Sequence, residues 1–298
     1  MNVPDYIAHR RSLFYPKTDE PIIGKRHNVL IRGSLVHRYS LSPDQPDQSM
    51  HVEQAVSEAA WRAGIPTVRI QTMSTATQTY QTMHYVVGSN LAEVKDTAIQ
   101  HIAYANLGRI LARLHKIEVG GFGLIQPGGF EQLSGVHRQW EDYLMTRLPE
   151  HLHYLWGHEL ATSEQIVEID AAMKGFAAKR LVTKSYLLHG DLNSRNLFVD
   201  HTGFITHLID WEDALGGDPI FDLAFWATFH PELDHKHLIQ AYYHQVVKPA
   251  DFDYRFWVYY LRIAVSKAVL LHKEGHKDLT RAKGRIETAL ERLKSIKT

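Results

Sequence analysis

The sequence predicts an α+β protein of two lobes: a small antiparallel sheet with one helix, then a larger, mainly helical part. Three observations carry this expectation. Short β-type runs fill most of the first 87 residues, apolar residues switch to helical spacing from Asp96 onward, and 298 residues suffice for two modest cores.

In chain order, PIIG (21–24), NVLIR (28–32) and SLVHRYSL (34–41) read as three antiparallel strands, with Gly33-Ser34 at a hairpin turn. In MHVEQAVSEAAWRAG (50–64), Val52, Val56, Ala59, Ala60 and Ala63 recur at helical spacing, and Gly64 and Pro66 stop the helix. VRIQTM (68–73) and QTMHYVV (81–87) are two further strands, the second running into Gly88. The first lobe is thus expected over 1–83, a short connection over 84–88 and the helical lobe over 89–298. Within the latter, NLGRILARLHKI (106–117) places Leu107, Ile110, Leu111 and Leu114 on one helix face. GGFGLIQPGG (120–129) reads as a glycine-rich loop, and HRQWEDYLMTRL (137–148) and SEQIVEIDAAMKGFAAKRL (163–181) as helices. NLFVD (196–200) and FITHLID (204–210), joined by His201-Thr202-Gly203, form a hairpin. FWVYYLRIAVSKAVLLH (256–272) is broken by Arg262 and Lys267, with Trp257, Leu261, Ala264, Ala268 and Leu271 at helical spacing. That pattern is an amphipathic core helix and not a membrane span.

Composition narrows the function. With 33 basic against 33 acidic side chains, 44% hydrophobic and 22% charged residues, the chain is neither disordered nor suited to a bulk polyanion, so no nucleic-acid partner is expected. The absence of cysteine excludes disulfides, thiolate-ligated metal centres and a cysteine nucleophile. The first twenty residues hold no apolar run of signal-peptide length, so a cytoplasmic protein, monomer or homodimer, without a membrane partner is expected. Two histidine clusters, His151/His153/His158 and His230/His235/His237, lack the i, i+4 pair with a companion Glu that marks a zinc protease, and read as surface histidines.

The stretch that carries chemistry is LLHGDLNSRNLFVD (187–200). The hairpin sets Asp191 and Asn196 before one strand and Asp210 after the next, so the three can converge at one end of the ribbon. Transfer of a γ-phosphoryl group needs a carboxylate to orient the attacking hydroxyl and oxygen ligands for the metal that bridges the phosphates. Asp191 suits the first task, and Asn196 with Asp210 the second. Each alone could also be a turn former or helix cap, a reading that the set taken together disfavours.

HGDLNSRN followed by LIDWEDALGGDPIFDLA resembles the aminoglycoside phosphotransferase and choline kinase group, relatives of the protein kinases. The resemblance implies a protein-kinase-like fold, ATP and Mg²⁺ as cofactors, Asp191 as catalytic aspartate, Asn196 and Asp210 as magnesium ligands, and Asp218 and Asp222 as structural. It extends to GKRHNVLIRGSLVHR (24–38), where Arg38 takes the place of the phosphate-binding cation on the third strand, with Lys25 competing and Asn28 flanking the phosphate-covering turn. Its helix partner is expected to be Glu53, with Glu58 as fallback. The chain departs from the group in having a single glycine in that turn and Arg in place of the usual Lys. MHYVVGSNL (83–91) is similar to the group's hinge, which puts Met83, His84, Tyr85 and Val86 at the adenine; a plain buried strand would use the same residues. His189 is expected to orient the loop.

The acceptor implied is a hydroxyl of a small molecule, since no Ala-Pro-Glu motif or long activation segment follows Asp210. Glu212, Asp213, Glu232 and Asp234 suggest an acidic rim for a cationic, aminoglycoside-like substrate, and equally a solvated surface. A kinase of choline, homoserine, a sugar or glycated-protein amines is the alternative, and a non-catalytic nucleotide-binding protein a second.

Overall fold

The computed structural model describes residues 22–23, 27–40, 48–75, 78–126, 132–230 and 235–296. Along them run β1 (Ile22–Ile23), β2 (His27–Arg32), β3 (Leu35–Ser40), α1 (Gln48–Arg62), β4 (Ile70–Ser74), β5 (Thr79–His84), β6 (Ser89–Asn90), α2 (Thr97–Leu114), β7 (Phe122–Ile125) and β8 (Gly135–His137). There follow α3 (Trp140–Met145), α4 (Leu148–Gly157), α5 (Ser163–Lys179), β9 (Tyr186–Leu188), β10 (Leu197–Val199), β11 (Ile205–Leu208), β12 (Leu215–Gly217), α6 (Ile220–Phe229), α7 (Lys236–Tyr243), α8 (Phe252–Lys273) and α9 (Thr280–Ser295).

The chain forms two compact units, the first comprising residues 1–103, 126–133 and 194–213 and the second 104–125, 134–193 and 214–298. In the first, an antiparallel sheet runs β1-β2-β3-β5-β4. Gly33, at φ 58°, closes the β2–β3 hairpin, whose last pair is Arg32 with Leu35. Helix α1 buries Met50, Val52, Val56 and Ala60. It stops at Gly64, whose φ of 73° lets the Ile65 N–H return to the Ala60 carbonyl at 3.0 Å.

The expected hairpin forms, with Leu197 opposite Leu208. Its grouping with the N-terminal residues has a physical cause. β10 also pairs with β6, the Leu208 N–H donates to the Pro66 carbonyl at 2.7 Å, and the buried Trp211 indole donates to Thr67 Oγ1 at 2.9 Å. The residues expected to form a connection, 84–88, fall inside this unit.

The second unit is built on helices around α8, whose Val258, Tyr259, Leu261, Ala264, Val265 and Ala268 are buried. Of the apolar stripe expected there, Trp257 and Leu271 are half-buried at its margin. A four-stranded sheet, β8-β7-β12-β9, accompanies the helices. Residues 122–125, expected within a loop, are its strand β7, because Gly123 and Leu124 find ladder partners in Gly216 and Leu215. A side chain at Gly217 would collide with the buried Trp140 ring, which meets Phe221 edge-on at 5.3 Å and Tyr259 at 5.9 Å. Helix α5 starts on a capping box, Thr162 accepting from the Gln165 N–H while the Gln165 side chain accepts from the Thr162 N–H. Among the described residues no helix is long and apolar enough to cross a membrane.

Candidate functional site

Arg38 lies in the middle of β3, paired to Val29 on one side and Gln81 on the other. Its Nη1 donates to Glu53 Oε2 at 2.6 Å, and Nη2 stands 3.6 Å from Glu212 Oε2. Glu53 projects from α1 and is 2% exposed. The fallback, Glu58, instead pairs at the surface with Arg62 and Arg69. Burial opposes the Arg38 charge, but Glu53, Asp210 and Glu212 together outweigh it and raise the guanidinium pKa. Burial pushes the Glu53 carboxyl up; Arg38 pulls it down, and Asp210 and Glu212 push it up again.

Glu212 was expected on an acidic rim toward the acceptor. It turns instead into this cluster, its Oε2 2.9 Å from Nε2 of the buried His27 at the start of β2. A carboxylate with a guanidinium and an imidazole in reach is better satisfied there than in a like-charged rim. Asp213 is half-buried, and Glu232, Asp234 and Lys25 lie outside the described residues.

Asp210 follows β11 in the left-handed region, at φ 74°. The N–H of the preceding Ile209 donates to the Asn196 carbonyl at 3.0 Å, so Asn196 sits beside the turn that carries Asp210. Asn196 itself is buried at the end of a single helical turn, Ser194–Asn196, that the Asn90 side chain ties down through the Arg195 carbonyl at 2.6 Å. Asn28 is half-buried on β2 opposite Tyr39. Met83 and His84 complete β5 opposite Val36 and Leu35, and Val86 is half-buried beyond it. The Tyr85 N–H donates to the Ser34 carbonyl at 2.8 Å, and its ring packs on Val29 and Ile31.

Asp191 belongs to the second unit. Strand β9 leads into it through Gly190, at φ 79°. Asn193 Nδ2 donates to the Asp191 carbonyl at 2.9 Å and to its Oδ2 at 3.1 Å, which holds the side chain against its own loop. His189 Nδ1 accepts from the Asp191 N–H at 3.3 Å, in keeping with a loop-orienting role. Behind the loop, Asp222 accepts from the N–H groups of His189 at 2.7 Å and Gly190 at 3.1 Å. Asp218 accepts from Ile220 N–H, Arg255 and Tyr259 at 3.1, 3.0 and 2.7 Å, a structural assignment for both aspartates.

Neither His27 nor the inward turn of Glu212 had a signal in the sequence, because both depend on strand β2 meeting residues 185 positions away. Asn193 was readable, two residues after Asp191 in HGDLNSRN. In the first histidine cluster, His151 Nδ1 is 3.5 Å from Ser266 Oγ and His158 lies against Tyr154 and His272. Among the described residues no group of three or more His, Cys, Asp or Glu could hold a metal ion by itself.

Three carboxylates thus surround one guanidinium in the first unit, an excess of two negative charges when all are ionised and His27 is neutral. Hard oxygen donors and unmet negative charge fit a Mg²⁺ ion, which takes one or two protein carboxylates and completes its shell with phosphate and water. Asn196 and Asp210 are the residues that would hold it.

Comparison with known proteins bears on the family and the fold. Residues 27–257 match the profile of the phosphotransferase enzyme family. The uncharacterized protein YcbJ of Bacillus subtilis is 26% identical over 213 residues, 69% of this chain and 59% of that protein. The hygromycin-B 4-O-kinase of Escherichia coli is 26% identical over 144 residues, 42% of this chain and 40% of the kinase. The chain thus spans less than two thirds of either relative. Among solved structures, a thermostable mutant of aminoglycoside phosphotransferase APH(4)-Ia in ternary complex with ADP and hygromycin B superposes over 100% of both chains with a TM-score of 0.71 at 18% identity. A choline/ethanolamine kinase family protein from Mesorhizobium loti superposes over 99% of this chain and 96% of its own, with a TM-score of 0.61 at 16% identity. The fold is therefore the protein-kinase-like one of these enzymes, and with most of its length inside the family profile, the chain belongs to the phosphotransferase enzyme family.

Proposed function

We infer that the chain moves the γ-phosphate of ATP to a hydroxyl of a small molecule. The observation that carries this reading is the buried Arg38–Glu53 pair at 2.6 Å with the Asp210 and Glu212 carboxylates around it, a cation held rigid on a central strand. A guanidinium so held offers fixed N–H donors to phosphate oxygens, and Asp210, the carboxylate most suited to the metal, stands within the same electrostatic cluster. Mg²⁺, when bound, would supply charge neutralisation of the phosphates. Asp191 orients the acceptor hydroxyl and receives its proton, and Asn193 sets the rotamer of its carboxylate. Met83, His84 and Val86 line the adenine, and Asn28 flanks the phosphate turn. Tyr85 serves by packing, since its N–H is used within the sheet. Catalysis is then chiefly positioning and electrostatics.

For the acceptor, the hygromycin kinase and the choline/ethanolamine kinase family protein point by name to amine-bearing alcohols. An amine-bearing hydroxyl compound is the class proposed here, and this choice no longer rests on Glu212. The test is ADP release from ATP and Mg²⁺ against hygromycin B, other aminoglycosides, choline, homoserine, sugars and a glycated amine. Substrate-dependent release with one of them supports the reading. Nucleotide binding with no release for any acceptor, in protein shown to be folded, would favour the non-catalytic alternative.

A further inference from the structure

His27 opens β2 and pairs with Ser40 of β3, two residues beyond Arg38. Directly opposed residues share a face of a sheet, and along a strand the face repeats every second residue, so His27, Ser40 and Arg38 lie on one face. Glu53 meets Arg38 there from α1, and Glu212 reaches the same place from the segment after β11. All of these residues belong to the first unit. The side chains of His27, Glu212 and Arg38 are 4%, 10% and 14% exposed, a nearly dry setting for the charges.

The two distances from Glu212 Oε2 fall in the reverse of the order that charge alone dictates. A carboxylate beside a guanidinium closes to about 2.7–2.9 Å, since the charge-assisted hydrogen bond is the strongest it can make. Oε2 stands instead 3.6 Å from Arg38 Nη2, outside hydrogen-bonding range, and 2.9 Å from His27 Nε2. An ionised Glu212 only accepts, so Nε2 carries the proton. Arg38 therefore has Nη1 committed to Glu53, which fixes the plane of the guanidinium, while its second carboxylate is kept off Nη2. Were Glu212 to close the remaining gap, both terminal nitrogens would be held by carboxylates, and a phosphate would have to displace one of them.

We propose that His27 is a positioning residue for the nucleotide: it holds Glu212 back from Arg38 Nη2 and so keeps that nitrogen open to a phosphate oxygen. This rests on the phosphate-binding role given to Arg38 above. A double-mutant cycle tests it, read by calorimetric titration with ADP in a chelator, which keeps magnesium coordination at Asp210 out of the measurement. Adenosine, which has no phosphate, is the control ligand. In His27→Phe the donor is lost and Glu212 closes on Arg38, so ADP should bind about tenfold more weakly. Glu212→Gln removes a carboxylate that repels the phosphates and should bind ADP about threefold more tightly than wild type. In the double variant no carboxylate remains to capture Nη2, and the affinity lost in His27→Phe should return. His27→Gln, whose amide nitrogen can replace Nε2, should stay within about twofold of wild type for ADP, as should every variant for adenosine.

A contact that merely ties β2 to the segment after β11 gives another pattern: both single variants weaken ADP, the double variant is no better than His27→Phe, and adenosine affinity falls in step. That pattern overturns the proposal, as does wild-type ADP affinity in His27→Phe. Should His27→Phe not fold, Glu212→Gln decides alone, tighter ADP binding supporting the proposal and unchanged or weaker binding overturning it. A protein that binds ADP and phosphorylates no acceptor would count against the proposed function, while the cycle would still decide the role of His27. A wild type that binds no ADP at all would overturn both.

Discussion

Arg38 Nη1 and Glu53 Oε2 are 2.6 Å apart, joining the central strand of the first unit to its helix by a buried ion pair. Removing one partner strands the other charge out of water. Arg38→Met is expected to lower unfolding free energy by about 3–5 kcal/mol, and Arg38→Met with Glu53→Leu to restore much of it. Nucleotide affinity should stay weak in both variants. Urea denaturation beside calorimetric titration with an ATP analogue separates the two effects. Full affinity in the stable double variant would remove Arg38 from the phosphate site.

Asp191→Asn keeps the loop's hydrogen-bonding shape while removing the proton acceptor. It should leave the fold and nucleotide affinity intact and lower kcat by about 10²- to 10⁴-fold. Steady-state kinetics at saturating acceptor checks this, and near-normal turnover would end the assignment.

Asn196→Ala and Asp210→Ala should both weaken the magnesium dependence of nucleotide binding, Asp210→Ala more severely because a carboxylate neutralises charge that an amide only coordinates. The comparison is nucleotide titration with Mg²⁺ and with a chelator. A wild-type difference between the two conditions in Asp210→Ala would place the ion elsewhere.

How far the sequence reached depended on the range of the contacts involved. Strand alternation, the Gly33 turn and the Gly64 stop are local, and all were readable. The Arg38–Glu53 pair was expected as well, but through the family resemblance of GKRHNVLIRGSLVHR and not through any local pattern, since the two residues lie fifteen positions apart on a strand and a helix. Strand β7 was missed because glycine-rich GFGLI has little β-propensity of its own; its ladder partner is over ninety residues away in LGG. The inward turn of Glu212 was missed for the same reason. An acidic residue beside Asp213 reads as surface until His27 arrives from the other end of the unit.

His151 responds to acid. Burial first, then Arg262, Arg147 and Lys273, lower its pKa to about 4, against a smaller opposing effect of Glu150. The unfolded chain takes up this proton near the ordinary value of about 6.5, before the folded one does, so stability falls as pH drops from there to about 4 and levels off below. His151→Gln should flatten that part of the profile. Denaturant midpoints at pH 7 and pH 4.5 test it; an equal loss in wild type and variant would contradict the assignment.

Asp222 carries the opposite dependence, with a folded pKa below the ordinary value. Its contribution is present above about pH 4 and disappears as pH falls through the lowered value. The stability gap between wild type and Asp222→Asn should therefore narrow only in strong acid. A gap that closed already near pH 6 would mean that Asp222 is not held ionised by its three hydrogen bonds.

The backbone at Asp210 sets evolution a trade. A non-glycine residue at φ 74° costs about 1 kcal/mol, and its carboxylate also repels that of Glu53. Glycine at this position would relieve both burdens at once. A library screened for heat resistance alone should therefore enrich Asp210→Gly, and every such winner should be inactive, whereas a screen for phosphoryl transfer should never return it.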